Sequence, residues 1–218
     1  LLARDVKYPG GYTRGDGEQL APMSPLAREY LDLLLSGKRE EASKRIHIAV
    51  EAGTGVREIY KTVFERTLKE IGLMWMQNRV DVAMEHYFSA STQLIMSQLY
   101  PYITGSFREK RDAVCLTIAV CGEFHDIGAR MVADFMEMDG WKTFFLGNNL
   151  CSEDIVKAAL DQKPDLLALS ATMFFNVESI ARVIRALRTV DGLDQLVIIV
   201  GGRPFNQDPE LWKKVGAD

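Results

Sequence analysis

Ala113-Val114-Cys115-Leu116-Thr117-Ile118-Ala119-Val120, followed by Cys121 and then Gly122-Glu123-Phe124-His125-Asp126-Ile127-Gly128, is the stretch that decides the fold. Its first part is a nearly continuous apolar run, the pattern of a parallel strand buried on both faces. An amphipathic helix is predicted to start near Ile127. His125 therefore stands at the carboxyl end of a strand, where open α/β sheets meet their ligands. Imidazole is the commonest protein ligand for a transition metal, and a nearby carboxylate fixes its tautomer and raises its basicity. Glu123, two residues before the histidine, is the candidate carboxylate.

The same alternation continues downstream. Apolar runs fall at 113–120, 143–146, 166–171 and 196–200, with helical patterns at about 127–139, 152–161 and 176–188. A four- or five-stranded, doubly wound parallel sheet is predicted. Upstream the pattern is helical. Ser24 reads as an N-cap with Pro25 in the first turn, and Gly37 closes that helix. A second helix spans about Arg39 to Ala52. A third is read as capped by Thr54, and a fourth starts near Val82 and passes Leu99. Four helices joined by short turns predict an up-and-down bundle. The organisation expected is a flexible arm or linker over 1–22, a helical bundle over 23–104, a linker from Tyr100 to Lys110, and an α/β domain over 110–218.

Composition bounds the function classes. The chain has 218 residues, 47% hydrophobic and 26% charged, with a net charge of −4. That is ordinary for a soluble protein, and the absence of a long basic run argues against direct nucleic-acid binding. No apolar segment has bilayer-spanning length and no secretory signal opens the sequence, so a cytoplasmic location and no membrane partner are expected. Cys115, Cys121 and Cys151 lack metal-ligand spacing and read as reduced structural thiols.

Spacing sharpens the histidine motif. Forty-one residues (129 to 169) separate Gly128 from Ser170, and twenty-eight (173 to 200) separate Thr172 from Gly201-Gly202. In this the chain resembles the cobalamin-binding domain of the methionine synthase and corrinoid-protein superfamily. That family's pattern is Asp-x-His-x-x-Gly, a long gap, Ser-x-Leu, a shorter gap, then Gly-Gly. Glu123 stands for the usual Asp and Thr172 for the usual Leu. The resemblance implies a Rossmann-like or flavodoxin-like domain in which His125 replaces the cofactor's own base beneath cobalt. Glu123 would then bind the histidine directly or through water. Asp126, Gly128, Ser170, Thr172, Gly201 and Gly202 would belong to the cofactor site, with Ser170 and the glycines lining a slot for the nucleotide tail. In such relatives the Gly216-Ala217-Asp218 sequence leads into a further strand and helix, so the chain is read as a fragment.

A second motif lies in the bundle. Trp75, nine residues, then Glu85-His86 resembles the helical cap of the adenosylcobalamin-dependent photoreceptors of the light-sensing MerR type. The resemblance implies that Trp75 packs over the cofactor's upper face, with Glu85 and His86 at the upper ligand. Met76 stands where those relatives place a histidine that captures cobalt after photolysis. The expectation is a sensory, signal-transducing module that binds adenosylcobalamin (or methylcobalamin), responds to light and acts on an output domain or partner protein, with a homo-oligomer as a further possibility. The alternative is a corrinoid methyl carrier of a methyltransferase system. No residue set reads as a complete catalytic site, so the chain is not expected to be an enzyme by itself.

Overall fold

The computed structural model describes residues 22–104 and 110–218, and nearly all of the arm expected over 1–22 lies outside them. Ser24 Oγ accepts a hydrogen bond from Ala27 N at 3.1 Å, and Pro25 opens α1 (Pro25–Leu35) where a missing N–H costs nothing. Helix α2 (Arg39–Glu51) follows. Helix α3 (Val56–Ile59), a π-helical stretch (Tyr60–Phe64) and α4 (Glu65–Met76) run on without a break. Gly55, not Thr54, is the N-cap here, and no side chain caps this end. Helix α5 (Val82–Gln98) is capped by Asp81, which accepts from Met84 N at 2.8 Å. Tyr100–Thr104, read from sequence as linker, forms a short helix α6 because Ile103 is fully buried.

Beyond residue 110 the predicted alternation holds. Strands β1 (Val114–Ala119), β2 (Lys142–Phe145), β3 (Leu166–Ser170) and β4 (Val197–Gly201) are joined by α7 (Ile127–Met138), α8 (Ser152–Gln162) and α9 (Val177–Leu187). All three pairings are parallel and the order is β2-β1-β3-β4. Two short helices, α10 (Arg203–Gln207) and α11 (Leu211–Val215), complete the described chain. The architecture is a helical bundle followed by a flavodoxin-like parallel sheet. Connections from β1 run first to one neighbour and then to the other, so the ends of β1 and β3 flank a topological switch point.

Two cores hold the molecule. Leu116, Ile118, Leu167, Leu169 and Ile198 pack beneath α8 and α9 with Ile155, Ile180 and Ile184. The bundle core is aromatic and aliphatic, with Tyr30, Tyr60, Phe64, Phe88, Ile95 and Met96 buried. Met131 and Met138 of α7 belong to this second cluster, so one helix serves both parts. Polar contacts reinforce the seam. Tyr60 OH donates to Asp134 Oδ2 at 2.7 Å, Arg57 to Asp139 at 3.0 Å, and Arg130 to Ser97 Oγ at 2.8 Å.

The cysteines depart from the reading of three reduced thiols. Cys121 and Cys151 form a disulfide across a separation of 30 residues, because the β1 end and the α8 start lie side by side. Cys115 is free and buried, and burial pushes its thiol up to about 12.

Candidate functional site

The site is built on the switch point. After β1, Gly122 turns the chain with φ of +82°, a conformation that favours glycine, and Gly122 N donates to Asn149 Oδ1 at 2.9 Å. The turn sends Glu123 inward, where it is fully buried. Five donors converge on its carboxylate: His125 N at 3.0 Å, His125 Nδ1 at 2.5 Å, Thr172 N at 2.8 Å, Met173 N at 3.0 Å and Asn176 Nδ2 at 3.0 Å. Thr172 and Met173 follow β3, so the carboxylate stitches one lip of the switch point to the other. Burial alone would raise its pKa. The hydrogen bonds from His125, Asn176 and the backbone outweigh burial and hold Glu123 down at about 2.

A carboxylate can only accept, so Nδ1 of His125 is the donor and carries the proton. Nε2 is then the nitrogen that Glu123 does not engage, on a side chain 58% exposed. The hydrogen bond that His125 donates to Glu123 raises the imidazole pKa against the opposing effect of burial, and the charges of Glu123, Glu85 and Asp126 add to it. Glu85 lies on α5, so the bundle faces His125. Direct contact, rather than a bridging water, joins Glu123 to the histidine. The extra methylene relative to Asp reaches Nδ1 and both β3-side amides at once.

The other expected residues fall in three places. Asp126 is tied to the bundle and to the loop after β2, accepting from Gln93 Nε2 at 3.0 Å and Asn148 Nδ2 at 2.8 Å. Ser170 and Gly201 are register partners at the ends of β3 and β4. Cβ atoms added at Gly201 or at Gly128, in the first turn of α7, would meet nothing within 4 Å. Gly202 has φ of +108°, and a Cβ there would come within 2.0 Å of the Ala171 carbonyl, so only glycine lets the two strand ends close. Thr172 acts through its backbone N–H. On the bundle, Trp75 and Met76 are exposed in the last turn of α4, and Glu85 accepts from Ser89 at 2.8 Å. The His86 side chain is 76% exposed, with Nε2 3.7 Å from Glu85.

Asn176 was missed by sequence reasoning. It is buried, donates to both Glu123 and the Gly122 carbonyl, and holds the carboxylate from the β3 side. The only signal was a polar residue six positions after Ser170 amid apolar neighbours.

This geometry fits a metal that brings most of its own ligands. Among the described residues no group of three or more His, Cys, Asp or Glu could hold a metal ion. One imidazole, fixed at Nδ1 on a side chain 58% exposed, suits a single coordination position on a chelated metal.

Comparison with known proteins gives the class. Residues 113–218 match a B12 binding domain, and residues 26–100 match a second B12 binding domain model. Both parts of the chain thus match B12 binding domains, and cobalamin is its cofactor. It is similar to dimethylamine corrinoid protein 3 of Methanosarcina acetivorans, at 23% identity over 201 residues covering 91% of this chain and 92% of that one. Trimethylamine corrinoid protein 1 of the same organism is 26% identical over 191 residues, covering 86% of each. The structure of the Methanosarcina barkeri monomethylamine corrinoid protein shares the fold, with a TM-score of 0.77 over 88% of this chain and 90% of that chain at 20% identity.

These relatives overturn the light-sensor expectation. They are corrinoid proteins named for methylamines, which favours the carrier reading over signalling through adenosylcobalamin photolysis. The structure supplies a physical reason: the photoreceptor pattern needs a second histidine beside Trp75, where Met76 stands, and His86 is turned largely to solvent.

Proposed function

We propose that this chain is a corrinoid methyl carrier, with His125 Nε2 as the lower axial ligand of cobalamin. When bound, cobalamin supplies a cobalt centre that takes a methyl group from one enzyme's substrate and yields it to another's. The residues bind and orient it. Glu123 holds the Nδ1 proton, enriches Nε2 and prevents the ring from turning. Asn176 and the Thr172 and Met173 amides keep Glu123 ionised and still. Ser170, Gly201, Gly202 and Gly128 line the slot for the nucleotide tail, while Asp126 ties the histidine loop to the bundle. Trp75, Met76 and Glu85 cover the upper side, with His86 at its margin. The partners are methyltransferases, and the relatives' names point to a methylated amine as the methyl source. The chemistry of bond making belongs to cofactor and partners.

The observation that carries this reading is the five-fold hydrogen bonding of one buried carboxylate that also binds the imidazole. Its test starts with hydroxocobalamin-loaded protein. Wild type reduced to cobalt(II) is expected to show a paramagnetic resonance spectrum that changes when its histidines are isotopically labelled. His125→Ala is expected to lose that sensitivity and to shift the visible spectrum. Carrier function is then read by reducing the holoprotein further to cobalt(I) with an added chemical reductant and supplying purified mono-, di- or trimethylamine methyltransferase with its amine. Appearance of the methyl-cobalt absorbance supports the reading, and failure with all of them while binding persists removes it.

A further inference from the structure

Three phenylalanines surround the histidine loop and point away from the core. Phe124, between Glu123 and His125, is 68% exposed, while Phe174 and Phe175, next after Met173, are 50% and 57% exposed. Such side chains normally bury. Their backbone is not loose, because the residues beside them are locked onto one carboxylate: His125 and Met173 both donate to Glu123, and Asn176 closes the turn (Phe174–Asn176) from its far side. Large apolar groups held out on a fixed backbone around one imidazole mark a surface built to be covered.

We infer that Phe124, Phe174 and Phe175 form an aromatic collar that seats the lower face of the corrin ring and sets the protein's affinity for the macrocycle itself. The inference rests on the carrier reading, since it takes Nε2 of His125 as the bond to cobalt. A rigid planar ring joined at that nitrogen must extend over whatever flanks the loop, and the collar lies on both flanks. The ring's rim carries methyl groups and amide arms, so apolar side chains suit its underside while the arms stay in water. The collar acts apart from the slot at Ser170, Gly201 and Gly202, which takes the nucleotide tail.

The two parts separate with diaquacobinamide, a corrinoid without the nucleotide tail. Binding is followed by visible absorbance for wild type, Phe174→Ser/Phe175→Ser and His125→Ala. Exposed positions tolerate these substitutions, and circular dichroism confirms folding. The double variant is expected to bind cobinamide at least about tenfold more weakly, the effect of withdrawing one side chain's worth of apolar contact, with the histidine-ligated spectrum unchanged at saturation. In wild type, hydroxyl-radical footprinting is expected to show protection of Phe124, Phe174 and Phe175 on loading with hydroxocobalamin, with exposed Tyr100 as the unprotected standard. Unchanged cobinamide affinity, or three rings that stay equally oxidisable in the holoprotein, overturns the collar. A His125→Ala spectrum identical to wild type overturns instead the ligand assignment beneath it, and no corrinoid binding by wild type overturns both.

Discussion

Glu123 is a buried anion made tolerable by geometry. A lone carboxylate taken out of water costs several kcal/mol, and only dense hydrogen bonding offsets that. All five contacts here are donors, and this decides what substitution does. Glu123→Gln has the same shape but replaces one acceptor oxygen with an NH2 group that must face N–H donors. The variant is expected to lose about 2–4 kcal/mol of unfolding free energy in urea titration. It should also weaken the orientation of His125, seen as a loss of the histidine-ligated spectrum at equal cobalamin loading. Had the carboxylate been decorative, the loss would stay within the scatter of a surface change. The sequence made His125 and Glu123 legible through spacing alone. It did not show Asn176 or the two β3-side amides, because a hydrogen bond across 49 or more residues leaves no local pattern.

Among the elements, α7 has the most to reconcile. Its first turn carries the open position at Gly128, its middle presents Asp134 to the π-helical stretch, and its last residue, Met138, enters the bundle core. Burial raises the Asp134 pKa, and Glu137 adds to this, while the Tyr60 hydroxyl and Arg130 oppose it. A carboxyl whose folded value lies above its unfolded value favours folding when protonated. Apoprotein stability from this group therefore rises as pH falls through the raised value, and the charge is a net cost at neutral pH. Asp134→Asn keeps an acceptor for Tyr60 and removes the charge. Its melting temperature near neutral pH is expected to equal or exceed that of wild type, with the difference vanishing by about pH 4; a lower value at neutral pH would show the charge to be useful. Nearby, the Cys121–Cys151 link closes a loop of 30 residues beside the histidine turn. Cys121→Ser/Cys151→Ser is expected to cost about 3.6 kcal/mol in denaturant unfolding, as loop-closure entropy for that length requires. The disulfide was not legible beforehand, because pairing of cysteines depends on strand order, and neither were α6, α10 and α11, which are too short to show a periodicity. The long elements were legible because burial on both faces of β1 and β3 leaves apolar runs, and one-sided burial of α9 leaves a 3.6-residue period.

At the scale of the molecule, the bundle stands over the site. Glu85 of α5 is close enough for its charge to bear on His125, so under the proposed carrier reading a methyl group reaching that side would have to pass the helices. What holds the bundle to the sheet decides how readily the helices can move. The polar seam is mostly at the surface: Arg57–Asp139 is an exposed pair, and such pairs contribute under about 1 kcal/mol. The apolar seam is different in kind, since Met138 and Met131 sit in the bundle core with Phe135 packed against it. Removing a buried Met side chain costs about 2–5 kcal/mol. Met138→Ala is therefore expected to loosen the bundle far more than Arg57→Ala, read as faster amide hydrogen exchange across α1 to α5 with little change in β1 and β3. Equal effects of the two substitutions would place the hold in the polar rim instead. An apolar hold of this kind suits the carrier role proposed above. Its strength is set by area, and under that proposal a partner offering equivalent apolar surface would exchange for it at little net cost.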